Sequence, residues 1–93
     1  MNADPIAKFC ETQKVPSGSC LKIDFKKRNS ILGYFIQTDD YEYLKTKNLW
    51  RFVILVNIAA WRKTSNIEMA KIFNGSDFTR ITMVDLPVNA SYA

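Results

Sequence analysis

From Cys20 onward apolar and polar positions alternate, with Leu21, Ile23 and Phe25 set against Lys22, Asp24 and Lys26. A period of two puts the two sets on opposite faces of a strand with one wet side. Upstream the period is helical. Ile6, Phe9, Cys10 and Gln13 share one face, behind Asp4-Pro5, an acceptor at a cap position followed by proline at the first helical one. A short amphipathic helix over about residues 5–14 is predicted, stopped by the turn-rich Val15-Pro16-Ser17-Gly18-Ser19. After a turn at Lys27-Arg28-Asn29-Ser30, a second strand covers residues 31–39, with Gly33 marking a bend or a close backbone approach. Asp39-Asp40 is the next turn, and residues 41–46 the third strand. Residues 49–58 are nearly continuous in aromatic and β-branched side chains, as in a strand covered on both faces. For residues 59–67 the pattern does not decide between more strand and a helical turn, and Thr64-Ser65-Asn66 reads as loop. Residues 69–73 and 78–83 flank Asn74-Gly75, the strongest short-range hairpin signal in the chain.

One helix followed by five short strands describes a mainly β fold, a small and strongly bent five-stranded barrel in a single domain over residues 1–84. Closure removes the exposed edges that a small sheet cannot otherwise hide. Residues 85–93 read as a flexible C-terminal tail.

Composition supports a dense core. Of 93 residues, 47% are hydrophobic, with six Phe, four Tyr and two Trp, against three Gly and three Pro. The net charge of +4 is evenly spread: eight Lys/Arg against six Asp/Glu in residues 1–47, and five against three in residues 48–93. That balance permits contact with phosphates without requiring it. The start has neither a basic region nor an apolar core, so no signal peptide is expected, and the longest apolar run, residues 52–56, is too short to cross a bilayer. A cytoplasmic protein follows as the expectation. Two cysteines, Cys10 and Cys20, make neither a disulfide framework nor a zinc site. Reduced, partly buried thiols are expected, the alternative being one disulfide that ties the N-terminal segment to the first strand.

The chain has no histidine and no phosphate-cradling glycine loop. Asp39-Asp40 reads as a structural turn, because adjacent carboxylates there point in different directions and Asp favours turns for local hydrogen bonds. Cys10 has no histidine to activate it, and Asp77 is expected to bond local amides. No catalytic residue, metal site or cofactor is therefore expected, and the protein reads as a non-enzyme. Aromatic faces beside cations suit nucleic acid: rings stack on bases while Lys and Arg follow phosphates. Tyr34, Tyr41, Tyr43, Trp50 and Trp61 are the rings available, with Lys26-Lys27-Arg28, Lys45, Lys47 and Arg62-Lys63 as the cations. Trp50 is expected in the core with Phe52, Arg51 emerging on the opposite side. Trp61 and Arg62, beside the expected loop, are the better interface candidates.

The helix, the bent strand with Gly33, Asp39 six positions later and the aromatic return ending at Leu44 resemble the first signature of Sm-like RNA-binding proteins. Ile72-Phe73-Asn74-Gly75, with Phe78 and Ile81 after it, resembles their second. The likeness covers roughly residues 5–83 and implies an SH3/Sm-like barrel that assembles edge to edge into rings and binds single-stranded RNA. It places Tyr41 as the base-stacking ring. Tyr43 stands where the family prefers a base-reading Asn, and Asn74 where it prefers Arg; a longer segment between Tyr43 and Lys71 needs an inserted loop near residues 59–66.

Two functions follow as expectations. One is a ring-forming binder of single-stranded RNA with altered base preference, using Tyr41, Tyr43, Lys45, Lys47 and Asn74, and self-associating as a homo-oligomer without membrane contact. The other is a barrel that keeps the scaffold and binds a protein partner, through a strand edge or a patch around Trp61.

Overall fold

The computed structural model describes residues 1–12 and 14–86. Helix α1, Ala3–Thr12, is followed by strands β1 (Ser19–Phe25) and β2 (Ile31–Phe35), a short helix α2 (Tyr41–Thr46), and strand β3 (Leu49–Ile54). Helix α3 (Leu55–Thr64) comes next, then a 3₁₀ turn at Ile67–Met69, strand β4 (Lys71–Asn74), a 3₁₀ turn at Gly75–Asp77, and strand β5 (Phe78–Asp85). The five strands form one antiparallel sheet in the order β4-β3-β2-β1-β5. The β-rich class and the N-terminal helix agree with the sequence pattern.

The expected closed barrel does not form, because β4 and β5 lie at opposite ends of the sheet and do not pair with each other. The Asn-Gly hairpin falls with it. A tight hairpin turn there needs positive φ at Asn74 and Gly75, and neither has it. Asn74 is extended (φ −86°), and its side-chain carbonyl accepts from the Ser76 amide at 2.9 Å, starting the 3₁₀ turn instead. That turn carries the chain from one sheet edge to the other. Gly75 is held there by its amide, which donates to the Asn48 carbonyl at 2.8 Å.

The third predicted strand is helix α2. The Tyr41 amide donates to Thr38 O and the Leu44 amide to Asp40 O, both at 2.9 Å, while the Thr38 hydroxyl bonds the Asp40 carboxylate. Tyr41 and Leu44, three apart, turn inward and Glu42 and Tyr43 outward; a helical spacing of three thus overrides the alternation of tyrosines that suggests a strand. The fourth predicted strand ends early, at Ile54, and the inserted loop is helix α3 almost throughout. Ser65, left-handed at φ 52°, caps it, and Asn66 accepts from the Glu68 amide to begin the next turn. Helix α1 starts two residues ahead of expectation, so Asp4 lies inside its first turn, where a carboxylate complements the helix dipole. At the far end, Asp85 belongs to β5 and the Leu86 amide donates to Gly18 O at 2.9 Å. The rest of the predicted tail, residues 87–93, lies outside the described residues, as does Gln13 on the predicted helix face.

Two cores form, one on each side of the sheet. Ile6, Leu21, Ile23, Trp50, Phe52 and Phe78 fill the inner face under α1, with Phe9, Cys10 and Tyr41 packed against them. Val53, Ile58 and Ala70 fill the outer face under α3, with Tyr34 and Trp61 at the margin. β3 is thus covered on both faces, as its continuous hydrophobicity indicates. Gly33 permits the close approach of β2: a Cβ there would lie 2.0 Å from the Val53 carbonyl oxygen. Among the described residues no helix is long and apolar enough to cross a membrane.

Candidate functional site

Helix α2 carries four of the five residues expected to contact RNA or stands next to them, and it splits them into two pairs. Tyr41 faces inward. Its ring meets Trp50 edge-on at 6.0 Å, and its hydroxyl donates to Glu11 Oε2 at 2.6 Å. Lys45 Nζ sits 5.5 Å from the Tyr41 ring centre and bridges Glu11 at 3.4 Å and Glu42 at 3.1 Å. Burial, then the bond to Glu11, pushes the Tyr41 phenol above its ordinary range, while Tyr41 in turn holds the Glu11 carboxyl below its own. The expected stacking ring and its lysine are therefore a strut between α1 and α2. Their placement corrects the strand geometry that gives Tyr41 a free face.

Tyr43 and Lys47 form the other pair. Tyr43 is 65% exposed, and Lys47 Nζ lies 5.9 Å from its ring centre. Here the ring stands outside the core with a cation beside it.

Asn74 lies apart from both pairs, on the wall of a hollow of about 270 Å³ lined from the ends of β1 and β4. Phe25 and Phe73 line it with ring centres 5.8 Å apart, and the Arg28 guanidinium sits over both, at 5.1 and 5.6 Å. Lys26, Lys27 and Asp77 complete the lining. The Lys26 amide donates to the Asp77 carbonyl at 3.0 Å, which fixes the two walls to each other. The Asp77 carboxylate makes no hydrogen bond or ion pair among the described residues, contrary to the local amide bonding expected of it. The basic run was legible in the sequence; the two phenylalanines were not, because only the folded register brings residues 25 and 73 together.

Trp61 is half-buried against the outer core and lines a shallow depression with Thr38, Asp39 and Ile67. Arg62 packs its guanidinium 5.7 Å from the Tyr34 ring centre, and the Tyr34 hydroxyl donates to Ser19 O at 2.7 Å. Of the two candidate interface residues, Trp61 is thus partly core and Arg62 is engaged with its own sheet.

Of the two carboxylates in the acidic turn, Asp40 is tied into the fold. Arg51, on β3, donates from Nε to both Asp40 oxygens at 3.1 and 3.2 Å and from Nη2 to Oδ2 at 2.7 Å; its Nη1 bonds Ala70 O at 3.1 Å. These bonds from Arg51, with that from Thr38, hold the Asp40 carboxyl down at about 2. A carboxylate so engaged is a poor base. Both cysteines are free; burial pushes the Cys10 thiol up to about 12 and raises that of Cys20, which disfavours the thiolate a nucleophile needs. Among the described residues no three His, Cys, Asp or Glu side chains gather as a metal site would require.

The chain matches no family model, no curated protein and no solved structure. The likeness to Sm-like proteins rests on the residues of the two signatures alone.

Proposed function

We propose that this chain is a non-enzymatic binding module for single-stranded RNA, with an SH3/Sm-like curl to its sheet and α2 as its contact element. The observation that carries the reading is the exposed Tyr43 ring with the Lys47 ammonium beside it. A base of any identity stacks on such a ring, and the cation serves the adjacent phosphate. Tyr41 and Lys45 support the site from beneath by fixing α2 on α1. The strand order and the backbone approach at Gly33 favour the curl.

Fluorescence anisotropy with labelled oligo-U and oligo-A over a salt series tests the proposal. Micromolar or tighter binding that falls as salt rises is expected. Stacking contributes about 1–3 kcal/mol per base, so Tyr43→Ala should weaken binding roughly five-fold or more. No binding at low salt ends the RNA reading.

A second reading, a protein-binding or self-associating scaffold, has its own support. The outer edges of β4 and β5 pair with no strand among the described residues, and β4 carries the half-exposed Ile72 beside Lys71. Free edges take up an added strand, from a peptide or from a second copy of the chain.

A further inference from the structure

The hollow between the ends of β1 and β4 shares no residue with the Tyr43–Lys47 pair and has chemistry of its own. Its floor is two tilted phenyl rings roofed by a guanidinium. Arg28 lies against both rings on an exposed side chain, and a guanidinium so placed offers a planar surface on which a planar ligand stacks. Lys26, Lys27 and Arg28 outnumber the one carboxylate three to one, which suits a phosphate-bearing ligand. The volume, about 270 Å³, is near the lower end of small-ligand sites, about 300 Å³.

Two polar groups on the wall narrow the choice of base. The Asp77 carboxylate is an acceptor with no partner among the described residues. Asn74 uses its side-chain oxygen on the Ser76 amide, which directs the remaining capacity of that amide group to donation. A guanine edge offers two parallel N–H donors beside a carbonyl acceptor, the complement of a carboxylate and an amide N–H on one wall. Uracil instead sets its single N–H between two carbonyls, which a carboxylate repels.

We propose that this hollow is a guanine-nucleotide site. The base stacks on the open face of Arg28, Asp77 accepts from its N1–H and N2–H, Asn74 donates to its O6, and Lys26 and Lys27 take the phosphate. The same chemistry comes from a free nucleotide or from a guanosine within an RNA strand.

Isothermal calorimetry with GMP and UMP, and with the pentamers UUGUU and UUUUU, separates the two sources. Guanine is expected to win at least ten-fold in one pair or both. A preference in the mononucleotides assigns a free-nucleotide site, and one seen only in the pentamers assigns a site that reads RNA; either supports the proposal. Asp77→Asn should abolish the preference, since it removes one of two acceptors while keeping the side chain's shape. Lys27→Ala should weaken GMP and UMP alike. Tyr43→Ala should weaken the two pentamers alike and leave the preference for guanine in place, so failure of the α2 reading and failure of this one are distinguishable. Equal binding of G and U ligands in both pairs, or a preference that survives Asp77→Asn, overturns the assignment.

Discussion

Arg51 and Asp40 show how much a single pair sets at the scale of residues. The fork of hydrogen bonds ties the start of α2 to β3, with Arg51 mostly buried and Asp40 partly so. The folded-state pKa of Asp40, about 2, lies below the ordinary 3.8. Its contribution to stability is therefore fully present above about pH 4 and is lost as pH falls through about 2. Denaturant midpoints measured from pH 5 to pH 2 should fall steeply for the native chain and less for Asp40→Asn, which is already weakened at pH 5. Equal slopes would remove the pair from the account. Tyr41 and Tyr43 form a second contrast. Tyr41→Ala should cost about 1–3 kcal/mol in a urea melt, because it empties part of the inner core. Tyr43→Ala should shift the melt by less than about 0.5 kcal/mol, as for a surface change, and act on ligand binding instead.

Elements were legible where one periodicity had no rival. β1 follows its alternation, and β3 its unbroken apolar run as far as Ile54. Helix α2 was hidden because Tyr41 and Tyr43 suggest a strand while Tyr41 and Leu44 suggest a helix, and only the bonds at Thr38 and Asp40 choose. The Asn74-Gly75 signal was real as a turn and misleading as a hairpin. What decides it is distant: a Cβ on Gly75 would meet Asn48 Oδ1 at 2.2 Å and Ile6 at 2.6 Å, so the turn is packed against residues far away in sequence. Asn48 itself adopts φ 57°, accepts from Trp50 Nε1 at 2.8 Å and donates to Met1 O at 3.0 Å. Asn48→Ala should then cost about 1–3 kcal/mol, chiefly by leaving the indole N–H without a partner. Gly33→Ala should cost about as much or more, because the added methyl meets the Val53 carbonyl and the β2–β3 ladder must shift. Thermal or urea unfolding reads both. An unchanged midpoint for Gly33→Ala would mean that β2 has room it does not show here.

For the whole molecule, the open sheet matters more than the missing closure. The 3₁₀ turn at Gly75–Asp77 lets β4 end one edge of the sheet and β5 the other, so among the described residues neither outer edge pairs with a further strand, on a small body with a core on each face. Light scattering at micromolar concentration should then report a species larger than the monomer if the edges meet in solution, and Ile72→Lys should return it to monomer by placing a charge on the exposed flank of β4. The proposed ligand surfaces are separate: Tyr43 with Lys47 on α2, and the hollow behind Arg28. The sequence named Tyr43 and Lys47 among its site residues but not that the core would take up Tyr41 and leave Tyr43 exposed, and it did not show the hollow behind Arg28. Amide-resolved NMR titration with a uridine pentamer at low salt tests the central claim most directly. Perturbations clustered on α2 and Lys47, lost in Tyr43→Ala, are the predicted result. An unchanged spectrum, or shifts confined to residues away from α2, would contradict it.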